Sequence, residues 1–348
     1  MAKKQSGESD QYREIDAAIK AGSFSSIYVF YGAELYLLER YRLRLKAAVV
    51  AEGMEDFNYH RFDEENWDVS YFSDAVNSVP LMSDRTFVEL IDIDPFKMSE
   101  YDREDVTQIL SAIPDTTVVL FVFRTIPWKP DGRKKKLSSL FQEAKTVEFM
   151  QQQDSVLIRW IGREFAKAGL EISRAHADHL LQVVGRNMSD LDTEMQKIIS
   201  YSEDEAAVSE EVIDEVATPT LEMSVFQMTN LLGEGKIGQA VESLRELVEQ
   251  DNDPIAINAL IGRQYRQMLC AKILMEKGKS YTDLMHLFRM QQYGAKTVFR
   301  QAQRFSREYL KYAVQTAAEA DLACKSSDQD NSKILEDMLL QIGMKVRG

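Results

Sequence analysis

The run Thr117-Val-Val-Leu-Phe-Val-Phe123 carries no charge and consists of β-branched, aromatic and aliphatic side chains. Such residues favour the extended, pleated backbone. The run falls far short of the roughly 20 apolar residues that a membrane-spanning helix needs. It also lacks the alternation of a half-exposed strand, so both of its faces must be covered. A central strand of a parallel sheet with helices on either side meets that demand.

Neighbouring segments extend the pattern. Ser26 to Tyr31 is a second apolar run, ending at Gly32, and Phe57 to Phe62 alternates apolar and polar residues. Arg85 to Ile91 reads as a further strand. Between these runs, Leu35, Leu38, Tyr41, Leu45 and Val49 recur at helical spacing, and Val69, Phe72, Val76 and Val79 predict a helix ending at Pro80. Strands alternating with helices make residues 1–149 an α/β domain. The opening MAKKQSGESD has no apolar run behind its lysines, so it reads as a short disordered lead-in and not as a secretory leader.

Beyond about residue 150 the strand signals stop. Residues 150–217 read as a small helical domain, with Asp154, Ser173 and Ser209 placed to start helices and Gly169 and Gly185 to end them. Residues 218–348 read as five or six further amphipathic helices with no fixed-period repeat.

The net charge of −14 argues against a free-standing nucleic-acid binder. The charge is uneven, however. Residues 259–312 hold 11 basic and three acidic side chains, and Arg263, Arg266, Arg300, Arg304 and Lys311 are the candidates there to face DNA, the alternative being a solvated helical face. The two cysteines, Cys270 and Cys324, read as reduced thiols of a cytoplasmic protein.

No catalytic motif stands out. A phosphate loop needs G-x-x-x-x-G-K-[ST], but the first strand is followed by Gly32-Ala-Glu34-Leu-Tyr-Leu37, with one glycine and an acid that would repel phosphate. Asp92 and Asp94 follow a strand, yet cannot build a nucleotide site without that loop. His176 and His179 share a helix but show no third metal ligand. The expectation is therefore no cofactor, no metal and no catalytic site. One connection is unusual: Ser78-Val-Pro-Leu-Met-Ser-Asp-Arg85 places apolar residues around a proline where polar ones are the norm. Leu81 and Met82 suit a plug for an apolar pocket on a partner, or a segment tucked under the sheet.

Several segments, in order along the chain, resemble the delta subunit of bacterial DNA polymerase III. Tyr28 to Glu39 is similar to the family's strand, YGEE turn and helix, and Val79 to Arg85 to its LPLFSDRR element. Gly132-Arg-Lys-Lys-Lys-Leu137 matches its basic stretch. Ala166 to Ile172 and Val184 to Glu194 resemble its middle domain, Arg263-Gln-Tyr-Arg266 its RQFR, and Asp321 to Ser326 its D-x-x-x-K-S. The resemblance implies an AAA+-like first domain without a working ATP site, a small helical lid-like domain and an all-α collar domain. It implies that Val79, Leu81 and Met82 bind the beta sliding clamp, Met82 standing where phenylalanine is common. The implied partners are gamma/tau and delta-prime type subunits in a heteropentamer, with primed DNA. The implied role is ring opening without ATP hydrolysis, within a nucleotidyltransferase holoenzyme. The alternatives are an AAA+-like ATPase with a degenerate nucleotide site, a replication-associated scaffold, and an acidic DNA mimic, against which the basic 259–312 segment speaks.

Overall fold

The computed structural model describes residues 4–202, 206–290 and 292–346. The chain divides into two compact units, Met1–Leu157 and Ile158–Gly348. The first runs α1 (Lys4–Ala21), β1 (Ile27–Gly32), α2 (Leu35–Val49), α3 (Glu55–Asn58), β2 (Tyr59–Phe62), α4 (Val69–Val76), β3 (Thr86–Ile91), α5 (Glu100–Ser111), β4 (Thr117–Phe123), α6 (Lys135–Glu143) and β5 (Lys145–Phe149). All five strands are parallel, in the order β2-β3-β4-β1-β5.

The charge-free run is β4, the middle strand, and its side chains divide between two cores. Val118, Leu120 and Val122 join Tyr28, Phe30 and Phe87 against Leu38, Leu45 and Val49 of α2 and Ile15 of α1. Val119, Phe121 and Phe123 face the other way, toward Phe72 and Val76 of α4, Val106 and Leu110 of α5, and Leu137 and Phe141 of α6. Each such side chain contributes roughly 1.5–3 kcal/mol by leaving water, so a polar change on either face of β4 is costly.

Three expectations are corrected here. The opening residues are not a lead-in: from Lys4 onward they belong to α1, which docks through Ile15 and through Tyr12, whose ring stacks on Tyr41 and Phe149 at 5.5 and 5.6 Å. Helix α4 does not reach Val79. Capped by Asp68, it ends at Val76, with Asn77 as its C-cap. Strand structure also does not stop at residue 150, because the second unit contains a two-stranded parallel pair.

The second unit takes in most of α7 (Asp154–Lys167), which crosses the boundary between the units. It continues with β6 (Glu171–Ile172), α8 (Arg174–Val184), α9 (Met188–Tyr201), β7 (Ala207–Val208), α10 (Glu210–Val216), α11 (Leu221–Gly233), α12 (Ile237–Glu249), α13 (Pro254–Glu276), α14 (Tyr281–Phe288), α15 (Gln292–Gln303), α16 (Arg307–Ser326) and α17 (Asn331–Val346). Ser173, Ser209, Thr220 and Ser306 each cap the helix they precede by accepting a backbone N–H. A single core built from α11 to α17 centres on Ile261, Tyr265, Leu310 and Leu339. Among the described residues, no helix is long and apolar enough to cross a membrane.

Candidate docking loop

Residues 77–85, between α4 and β3, carry the candidate docking side chains, and their backbone is fixed at three places. At the near end the Thr117 hydroxyl, buried at the start of β4, donates to the Val76 carbonyl at 2.9 Å, and Ser78 Oγ donates to the Ala75 carbonyl at 2.8 Å. At the far end Arg85 Nη1 donates to the Asp115 carbonyl at 2.7 Å, while its guanidinium lies 5.6 Å from the centre of the Phe24 ring. In the middle, Asn58 brackets Leu81: its Nδ2 donates to the Leu81 carbonyl at 2.8 Å and its Oδ1 accepts the Leu81 N–H at 2.7 Å.

The side chains on this anchored backbone stay in water. Val79 is 87% exposed, Met82 79% and Leu81 49%. Met82 also adopts φ +51°, a left-handed conformation that non-glycine residues seldom take. Three apolar side chains held out by a fixed loop form a small contact surface of the kind that anchors a protein partner.

The opposite end of the sheet has a different character. In parallel α/β sheets, ligands bind beyond the carboxyl ends of the strands. Here the chain itself fills that edge. Only Ala33 and Glu34 separate β1 from α2. Gly32, at φ +140°, lies so close to β5 that a Cβ would stand 2.1 Å from the Phe149 carbonyl oxygen. The Glu34 N–H donates to that same oxygen at 2.9 Å. Burial raises the pKa of the Glu34 carboxyl, against the pull of the Tyr36 N–H. Asp92 Oδ1 accepts the N–H groups of Arg124 and Thr125 at 2.7 and 3.0 Å. Asp94 accepts the Phe96 N–H at 3.0 Å and pairs with Lys97 at 3.3 Å. Both carboxylates thus organise loops of their own chain.

Arg263, Arg266, Arg300, Arg304 and Lys311 are all exposed. Arg263 and Arg266 lie on α13, Arg300 on α15, Arg304 just after it and Lys311 on α16. Gln264 of α13 donates to Gln301 of α15 at 3.3 Å, which sets Arg263 and Arg300 beside one helix contact. Arg263 is paired with Glu222 at 3.1 Å. His179, which lacked partners in the sequence, meets Asp214 at 2.7 Å, with Glu210 also within reach of a shared ion. His176 Nδ1 instead bonds the Val208 carbonyl at 2.8 Å.

The family model of the DNA polymerase III delta subunit matches residues 28–151, and the model for the C-terminal domain of the same protein matches residues 222–342. The chain belongs to the DNA polymerase III delta-subunit family. It is 26% identical over 335 residues to DNA polymerase III subunit delta of Bacillus subtilis (strain 168), covering 93% of this chain and 95% of that protein. It is also 24% identical over 179 residues to the probable DNA polymerase III subunit delta of Aquifex aeolicus (strain VF5), 51% of each chain. Among solved structures, the Bacillus subtilis DNA clamp loader delta protein matches with a TM-score of 0.55 at 23% identity, covering 95% of this chain and 99% of that one. The fold is therefore shared along nearly the whole delta chain. Its parallel sheet with flanking helices is followed by a helical C-terminal region.

Two features of the delta chain escaped the sequence. Asn58 gave no signal, because its partner is the backbone of a residue 23 positions away. The two carboxylates near His179 lie more than 30 residues from it, on another helix.

Proposed function

We propose that this delta chain binds the beta sliding clamp through Val79, Leu81 and Met82 and opens the ring, or holds it open, for loading onto primed DNA. The observation that carries this reading is the exposure of these three side chains on a loop fixed by hydrogen bonds on both sides. Leu81 and Met82 enter an apolar pocket near the interface between the clamp's protomers. Ring opening follows if the chain binds the open ring more tightly than the closed one, since a partner shifts an equilibrium only by its differential affinity.

The chain does so without hydrolysing ATP. A two-residue β1–α2 connection offers too few N–H groups to wrap a triphosphate, and the buried Glu34 sits where phosphate would lie. ATP chemistry then belongs to gamma/tau type neighbours. Together with a delta-prime type protein they make up a cytoplasmic heteropentamer with this chain. Residues 150–217 serve as the lid-like domain and 218–348 as the collar. Arg263, Arg266, Arg300, Arg304 and Lys311 face the DNA within that complex.

The test is clamp binding by purified chain, wild type against Leu81→Ala/Met82→Ala, using intact clamp and an interface-disrupted monomeric clamp. The expected result is tighter binding to the monomeric clamp, lost in the double variant. Equal affinity for the two clamp forms would remove the ring-opening mechanism. Nucleotide binding by the isolated chain would favour an AAA+-like ATPase.

A further inference from the structure

We infer that Asn58 is a positioning residue for the docking element, holding Leu81 and Met82 in their presenting geometry from outside the loop. As a statement about clamp binding, it rests on the function proposed above.

Asn58 is the last residue of α3 and is fully buried, although α3 is a helix of four residues with Phe57 exposed beside it. Its side-chain amide bonds both backbone groups of a single residue, Leu81, at 2.7 and 2.8 Å. The adjoining strands β2 and β3 pair from Tyr59 and Phe87 onward, so Asn58 stands at the start of that ladder. There its side chain takes the part that a neighbouring backbone would play. A buried amide left unpaired costs free energy at each polar atom, so the bracket persists.

The bracket matters for the next residue. Met82 holds φ +51° with a bulky side chain. A left-handed non-glycine residue persists only where its surroundings over-determine it. Asn58 fixes the peptide groups on one side of Met82, and Ser83 Oγ, donating to the Arg85 carbonyl at 3.3 Å, steadies the other. Without Asn58 the loop gains backbone freedom, and that freedom must be given up again on docking.

The experiment is a double-mutant cycle with hydrogen exchange on the full chain. Asn58→Ala should weaken binding to the clamp roughly tenfold and raise amide exchange in residues 79–84 selectively. In a Met82→Ala background, which keeps Leu81 and weaker binding, the same change should cost much less, because the two residues act through one element. Asn258→Ala, which removes a buried asparagine from the helical core where its Nδ2 meets the Ala317 carbonyl at 3.1 Å, controls for general destabilisation and should leave clamp affinity unchanged. If Asn58→Ala does not fold, Asn58→Asp replaces it, keeping the acceptor for the Leu81 N–H and losing the donor to its carbonyl. Additive losses, or unchanged exchange at 79–84, overturn the inference. Should the wild-type chain not bind the clamp at all, the proposed function fails, while the exchange data still decide whether Asn58 holds the loop.

Discussion

Arg42 meets Glu89 through two hydrogen bonds, Nη1 lying 3.0 Å from Oε1 and 2.8 Å from Oε2 of a carboxylate that is fully buried in β3. Arg42 also binds Glu39 at 2.6 Å, and Tyr59 Oη donates to Glu89 Oε2 at 2.6 Å. Breaking a buried pair from one side leaves an uncompensated charge, at about 3–5 kcal/mol. Arg42→Leu should therefore lower the unfolding free energy by that amount, measured by urea denaturation. Replacing Arg42 and Glu89 together by leucine should cost much less, because neither charge is then stranded.

The same cluster gives a pH signature. Burial, then hydrogen bonding and charge at Glu89, push the Tyr59 hydroxyl up to about 12. Its folded pKa thus lies above the unfolded value of about 10. The contribution is complete below pH 10 and is lost as pH rises toward 12. The stability difference between wild type and Tyr59→Phe should shrink across that window, as read from urea midpoints at pH 8 to 12. A constant difference would mean that Tyr59 does not titrate as part of this cluster.

Asp92 shows the opposite sign. Burial alone would raise its pKa, but the Thr125, Arg124 and Ile126 N–H groups outweigh burial and hold it below the usual carboxylate value. Asp92 sits at φ +55°, which asparagine tolerates. Asp92→Asn keeps the geometry and removes the charge, so it should cost about 1 kcal/mol at pH 7. A depressed folded pKa gives stability that is present above the unfolded value of about 3.9 and lost as pH falls. The gap between wild type and variant should close in urea titrations below pH 4.

How far the sequence revealed this molecule depended on where each interaction partner lay. β4 was legible because covering both faces leaves an unbroken apolar run, and β1 and β3 nearly so. β5 was not, because Lys145 and Glu148 interrupt an edge strand that is only half covered. Helix α1 opens on a stretch that is polar in sequence, ahead of Tyr12 and Ile15, which hid the helix. The candidate docking loop was visible as apolar residues in a connection. Its choice between burial and exposure rests on Asn58, Asp115 and Thr117, which lie far from it along the chain. Asn58, whose partner is a backbone, leaves no pattern in a sequence.

Of the three residues proposed to dock, Met82 is the one most open to improvement. Its side chain is long and flexible, and it loses rotamer freedom on entering a pocket. A phenylalanine has fewer rotamers to lose and adds aromatic packing of about 0.5–1.5 kcal/mol where a ring faces it. Met82→Phe should therefore tighten clamp binding, by up to roughly tenfold. Calorimetry on the full chain measures this. Weaker binding by the variant would indicate a pocket shaped for the thioether.

The five basic residues differ in how much they should give to DNA. Arg263 is held by Glu222 at 3.1 Å. It must give up part of that interaction to meet phosphate, so its net contribution is small. Arg266, Arg300 and Lys311 stand on exposed faces of α13, α15 and α16. A phosphate contact releases counterions and steepens the salt dependence of binding by roughly 0.9 in log–log slope per contact. Arg300→Glu and Arg266→Glu, tested in the assembled complex on primed DNA, should each flatten that slope by about one unit. Arg263→Glu should change it less. If all three leave both affinity and slope unchanged, this basic segment does not face the DNA, and its charge instead serves contacts between protein chains.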